Sequence, residues 1–157
     1  MIKVEVKKIG DQEMILSLKN FGRDVGLLTE PLEDSARYMQ QQAIMNFAAG
    51  GTLMQPGGWK DLEESTKRKK KKLVGFVYPM LVRYDKLRHA FEIEGPRIGK
   101  DYGEIEVYNP LHYAIEHQAA WGLLPQRILL QFQKQQIQDI TNITTRWLDK
   151  IINRNFK

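Results

Sequence analysis

The chain has 157 residues, of which 42% are hydrophobic and 27% charged, a balance that suits one soluble globular domain and excludes wholesale disorder. Cysteine is absent, which excludes a disulfide framework or a thiolate metal site, and no stretch reaches the roughly eighteen uncharged apolar residues of a membrane span. The net charge of +5 favours an anionic partner without separating nucleic acid from an acidic protein face.

Residues 1–8 alternate apolar and charged side chains and lack the apolar run of a signal peptide, so no export is expected. Ile2, Val4 and Val6, followed after Ile9-Gly10-Asp11-Gln12 by Met14, Leu16 and Leu18, form two period-two runs that predict a β-hairpin. Residues 20–29, with Gly22 and Gly26, read as a connection. Thr29 is the expected N-cap of a helix beginning at Glu30-Pro31, because its hydroxyl can accept from a free amide of the first turn. Leu32, Ala36, Met39, Ala43 and Phe47 then recur at helical spacing as one apolar stripe, and Gly50-Gly51 supplies the stop. Residues 50–58 are glycine-rich and contain Pro56; they read as a loop delivering Trp59 to the next element. Together with the basic run that follows, the loop defines a segment at 50–75 expected to be mobile.

A short helix is expected within residues 79–87. Phe91 and Ile93 mark a strand, and Ile105 and Val107 its partner across a loop with glycine and proline. Two hairpins with short connections predict a mostly antiparallel sheet of about four strands. Asn109-Pro110 breaks the last strand, residues 111–121 have the character of a short helix, and Gly122 ends it. The aliphatics of residues 126–130 fit either an extended or a helical conformation. Ile137, Ile140, Thr144, Trp147 and Ile151 predict a long amphipathic C-terminal helix over about 132–152. The expected fold is α+β: this sheet, packed with a helix from the N-terminal half and the long C-terminal helix, in a single domain spanning 1–157.

No constellation proposes a reaction. His112 and His117 are five residues apart, whereas zinc faces on helices use spacings of three or four, and no His-Glu-x-x-His pattern is present. The pairs Gly50-Gly51 and Gly57-Gly58 lack the lysine and hydroxyl of a phosphate loop, and Ser65-Thr66 has no histidine base in a recognisable motif. No catalytic residue, metal site or cofactor is expected. Lys67, Arg68, Lys69, Lys70, Lys71 and Lys72 form the strongest compositional feature. Six adjacent cations can contact several phosphates in a salt-dependent manner, although a solvated helix end is the plainer reading. Standalone nucleic-acid binding through this run is therefore one functional reading.

A second reading comes from short motifs in order. Gly57-Gly58-Trp59-Lys60-Asp61-Leu62 leads through Thr66 into the basic run, followed by Leu81-Val82-Arg83-Tyr84-Asp85-Lys86-Leu87, Tyr113-Ala114-Ile115-Glu116-His117-Gln118 and Pro125-Gln126-Arg127. Over about residues 57–130 this set resembles the phage virion morphogenesis, or tail completion, family of the Mu-like kind, with its Trp-x-x-Leu, Leu-x-x-x-Gly-x-Leu, Tyr-Ala-x-x-His-Gln and Pro-Ala-Arg segments. Two departures bear on local backbone geometry: Asp85 stands where the family has glycine, and Ala119-Ala120 replaces the glycine after His-Gln.

The resemblance implies a non-enzymatic virion component, present in the host cytoplasm before assembly, that completes the head-proximal end of a tail. Its implied partners are copies of itself in a hexameric ring, the tail tube and the neck or head–tail connector proteins, with non-specific contact to packaged DNA and no membrane. Trp59, Tyr113, His117, Trp121 and Arg127 are the candidate assembly contacts; core packing is the equally weighted reading of Trp59 and Tyr113.

Overall fold

In the computed structural model, which describes residues 11–99, 102–121 and 124–156, the elements follow in the order α1 (Asp11–Val25), α2 (Thr29–Ala48), α3 (Glu64–Val74), α4 (Lys86–His89), β1 (Glu92–Ile98), β2 (Gly103–Tyr108), α5 (His112–Ala119) and α6 (Lys134–Asn155). The fold is α+β, with an antiparallel pair of strands and a long C-terminal helix. No described helix is long and apolar enough to cross a membrane.

Helix α2 carries the apolar stripe read from the sequence: Ala36, Met39, Ala43 and Phe47 are all buried. One helix therefore packs against both strands and against α6. Around Ala43 and Phe47 gather Trp59, Met80, Val82, Leu87, Phe91, Ala114 and Leu129, so residues from loops and short elements complete the core. The Phe47 ring meets Trp59 at 5.3 Å and Phe91 at 6.4 Å between centroids, both edge to face, an arrangement that aromatic quadrupoles favour.

The strands pair with Ile93 opposite Val107 and Glu94 opposite Glu106, and the register is interrupted between Glu94 and Arg97. The interruption falls on Gly95-Pro96; proline has no N–H to give the ladder, and such a residue is accommodated at a bulge.

Several expectations are corrected. The described residues form a two-stranded sheet, not one of about four strands. Met14, Leu16 and Leu18 lie in α1 and not in a hairpin strand; Ile15 spoils their alternation, and Met, Leu and Lys are good helix formers. Ile2, Val4 and Val6 lie outside the described residues. Leu28 occupies the N-cap position of α2 and no side chain caps it, so Thr29 begins the helix without serving as its cap. Within residues 79–87 the chain turns, and only Lys86–His89 is helical. The end of α5 is a left-handed Ala120, upstream of Gly122, which lies outside the described residues. Residues 126–130 are neither helix nor strand.

The glycine-rich loop is packed and held. Gly51 donates its amide to the Asn46 carbonyl at 2.9 Å, and the Trp59 amide returns to the Gly50 carbonyl at 2.8 Å, closing the loop on itself. Met54, inside the loop, is fully buried. Gly51 has a φ of +91°, and a Cβ there would lie 2.2 Å from Cδ1 of Trp59, whereas a Cβ on Gly57 (φ +79°) meets nothing within 4 Å. Gly51→Ala combines left-handed strain with overpacking and is expected to cost about 2–4 kcal/mol, against about 1–2 kcal/mol for Gly57→Ala. Urea unfolding of the two variants checks this: the Gly51→Ala midpoint falls further, with the slope unchanged.

Candidate functional site

The segments singled out in the sequence come together around one stretch of irregular chain, residues 124–133. Its backbone has no ladder or helix to satisfy it, and side chains from elsewhere supply the bonds. The Ile128 carbonyl accepts from Trp59 Nε1 and from Asn46 Nδ2, both at 3.0 Å, and the Ile128 amide donates to Gln55 Oε1 at 3.0 Å. Gln118, on α5, accepts from the Leu129 amide at 2.7 Å and the Leu130 amide at 3.2 Å through Oε1, and donates from Nε2 to the Leu130 carbonyl at 2.9 Å. The Arg127 amide donates to the His117 carbonyl at 2.8 Å. Its guanidinium donates from Nη2 to the Lys60 carbonyl at 3.2 Å, directly after Trp59. Trp59, His117-Gln118 and Arg127 thus belong to one lock.

Beside the lock lies an open groove of about 840 Å³ between residues 60–63, the side of α3, and the α5 and 124–127 segments. Leu62, Leu81 and Leu87 give it an apolar part, while Lys60, Lys69 and Arg83 bring cations from exposed positions. Tyr113, His117 and Arg127 line the same groove.

The five candidate contact residues are placed very differently. Trp59 and Arg127 are 5% and 4% exposed, so both are committed inside the subunit. Tyr113 is half-buried and packs on the core, its ring edge to face with His112. His117 is half-buried, with Nδ1 sequestered and unpaired. Burial, and then the neighbouring Arg127 charge, push its imidazole below the usual histidine value against the pull of Glu116. Trp121, at 68%, is the contact candidate left in solvent.

The basic run is α3, and it is not uniformly solvated. Lys67 bridges Asp61 and Glu64, each at 2.8 Å. The hydrogen bond from Lys67, then those from Tyr78 and the Leu62 amide, hold the Asp61 carboxyl down at about 2. Lys70 is 8% exposed; its ammonium donates to the carbonyls of Val77 and Pro79, both at 2.6 Å, and lies 5.2 Å from the Phe76 ring centroid. Burial pushes its pKa down. Arg68, Lys69, Lys71 and Lys72 are the members of the run that stay exposed. As a DNA-facing set the six therefore reduce to these four.

Left-handed backbone outside glycine occurs at three positions among the described residues: Leu81 (φ +59°), Asp85 (φ +60°) and Ala120 (φ +57°). Asp85 and Ala120 lie in the two places where the chain departs from a glycine of the resembled motifs. Asp tolerates this region by bonding locally, and here its carboxylate pairs with Arg88 and with His89 Nε2, the latter at 3.1 Å. Ala120 has no such relief.

Among the described residues no group of three or more His, Cys, Asp or Glu side chains converges as a metal ion would require. Asn46, Gln55 and Gln118 are the site residues that sequence reasoning passed over as lock members. Asn46, fully buried between Ala43 and Phe47 on the apolar stripe of α2, was the one with a visible signal. No family model, curated protein or solved structure matches the chain.

Two outcomes follow. Lys70→Ala strips a charged donor from two carbonyls and is expected to cost about 2 kcal/mol, while Lys69, Lys71 and Lys72 replaced together by serine change stability by about 0.5 kcal/mol or less; thermal unfolding separates the two. Ala120→Gly removes left-handed strain and is expected to stabilise by about 0.5–1 kcal/mol, read as a rise in the urea midpoint.

Proposed function

We propose that this chain is a structural, non-enzymatic component of a bacteriophage virion that completes the head-proximal end of the tail and joins it to the neck, acting as a ring of copies around the DNA channel. What supports the reading is the backbone at the two departures. The motifs of the resembled family carry glycine where this chain has Asp85 and Ala119-Ala120, and Asp85 and Ala120 hold a φ that glycine adopts without strain. A chance match of short motifs gives no reason for that coincidence.

The lock adds a second support. Trp59, Gln118 and Arg127, taken from three separate motifs, are joined through one part-buried backbone segment. They act as the frame of the subunit, and the frame presents the groove with Lys60, Lys69 and Arg83, while the indole of Trp121 is exposed. Trp121 is the contact residue of choice in this reading, because a large, rigid aromatic supplies contact area at low entropic cost. Arg127 serves assembly indirectly, through the fold.

The competing reading, a standalone nucleic-acid-binding protein, draws on the four exposed cations of α3. It requires salt-dependent binding to duplex DNA by the isolated chain. The deciding experiment introduces Trp121→Ala into the phage genome that encodes the chain, with protein folding checked by circular dichroism. Separate filled heads and tails under the electron microscope, with a folded variant, are expected. Infectious joined particles in normal number would show that Trp121 carries no joint contact. Absence of the chain from purified wild-type virions, by mass spectrometry, would overturn the virion assignment itself.

A further inference from the structure

The groove beside the lock is lined by cations that the subunit does not neutralise. Arg127, 4% exposed, gives Nη2 to the Lys60 carbonyl, and its Nε is buried without a partner. Lys70, 8% exposed, likewise bonds two carbonyls. Both line the groove, and among the described residues neither pairs with a carboxylate. A carbonyl satisfies a donor but leaves the charge uncompensated, which is costly away from water. Lys60, Lys69 and Arg83 add exposed cations, also outside the ion pairs of the described residues. Against these stand the carboxylates of Asp61 and Glu63, and Asp61 is already held by Lys67 at 2.8 Å. The groove is therefore short of anions. Its lining also includes Leu73 and Leu124, 58% and 40% exposed, apolar surface that a phosphate backbone would not bury.

The hairpin of β1 and β2 carries the opposite surplus. Residues two apart on a strand, and residues paired across a ladder, share a face. The register thus puts Glu92 and Glu94 with Tyr108 and Glu106, and Arg97 with Glu104, all of them exposed. Glu94 stands directly opposite Glu106, a like-charge pairing that destabilises a sheet on its own. Arg97 is the one cation of this face, shared by Glu94 at 2.5 Å, Glu106 at 3.4 Å and Glu104 at 3.6 Å. Two residues before Glu104 lies Tyr102, 61% exposed, so aromatic rings flank the carboxylates at both ends of β2.

We propose that the cationic groove of one copy receives the acidic hairpin face of a second copy, with the carboxylates of that face over Lys60, Lys69 and Arg83 and its tyrosines against the leucines of the groove. Each surface supplies what the other lacks. The groove gains counter-ions near two buried cations, and the hairpin gains cations beyond the single Arg97. Aromatic rings on leucine, bordered by opposite charges, make the apolar centre and polar rim of a specific interface.

The contact is between copies. Within one subunit the groove is built by residues 60–63, α3, α5 and residues 124–127, and the four hairpin carboxylates meet Arg97 and Tyr108 instead of its cations. Two different surfaces meet, so the contact is head to tail and closes as a ring or continues as a filament. The inference concerns contacts between copies and does not depend on membership of a virion.

The test is sedimentation of the full chain across concentrations, with Lys60→Glu/Lys69→Glu and Glu104→Lys/Glu106→Lys as two double variants, each confirmed folded by circular dichroism. Wild type is expected to self-associate, and each variant alone to do so at least about tenfold more weakly, since like charges then face each other. An equimolar mixture of the two restores association, because every reversed groove again meets a reversed hairpin; recovery also shows that both variants keep their fold. A wild-type chain that stays monomeric overturns the proposal, and so does a groove that binds duplex DNA in place of a second copy, with that binding lost in Lys60→Glu/Lys69→Glu. Folded variants that associate as well as wild type, or a folded pair that fails to recover on mixing, overturn it too.

Discussion

The carbonyl of Ile128 is the point on which the rest of this structure depends. It sits in a part-buried segment that forms neither helix nor strand, and a carbonyl withdrawn from water without partners costs more than a hydrogen bond gains. Asn46 and Trp59 both donate to it, and Gln55 accepts from the amide of the same residue. These three side chains come from α2, from the end of the glycine loop and from within that loop. Satisfying one residue of irregular backbone therefore sets where the helix, the loop and the approach to α3 lie relative to one another. Gln118 does the same for the next two residues from the side of α5.

The glycine loop is shaped by that requirement. For the Trp59 indole N–H to reach Ile128, its ring must lie over the backbone of Gly51, where a Cβ has no room. Gln133 and Gln136 then extend the arrangement into α6: the Gln133 and Gln136 side chains donate to the carbonyls of Met54 and Leu53 at 2.8 and 3.1 Å. The start of the longest helix is thus tied to the middle of a loop. Small local conformations and long-range register are coupled here through amide side chains, in a core otherwise built from Phe47, Trp59, Phe91 and aliphatic residues.

Charge is partitioned by the same fold. Lys70 and Arg127 are drawn inside to bond carbonyls, Lys67 is neutralised at the head of its helix, and the remaining cations of α3 face solvent beside a groove. Four carboxylates, Glu92, Glu94, Glu104 and Glu106, stand exposed on the hairpin around Arg97. A protein with a modest net charge therefore presents surfaces of opposite sign, the condition under which electrostatics selects partners and register more than it adds affinity.

The sequence by itself determined the elements whose signals are local. The stripe Leu32, Ala36, Met39, Ala43, Phe47 specified α2, and the spacing through Trp147 and Ile151 specified α6. The stop at Gly50-Gly51 and the pairing of a strand at Ile93 with one at Ile105 and Val107 were also readable, because periodicity and turn chemistry act over a few residues; the register was not. Only the tertiary structure decided the rest. Met14, Leu16 and Leu18 read as a strand from their alternation, whereas they lie in α1, which the Phe21–Phe156 and Asp24–Arg154 contacts bind to α6. Residues 126–130 fit either state because their hydrogen-bond partners lie up to about eighty residues away in sequence. Lys70 and Arg127 resembled surface cations of their neighbourhoods, and their burial rests on carbonyls that the chain brings to them only when folded. A side chain's own identity announces which bonds it can make; which backbone it must satisfy is a property of the assembled core.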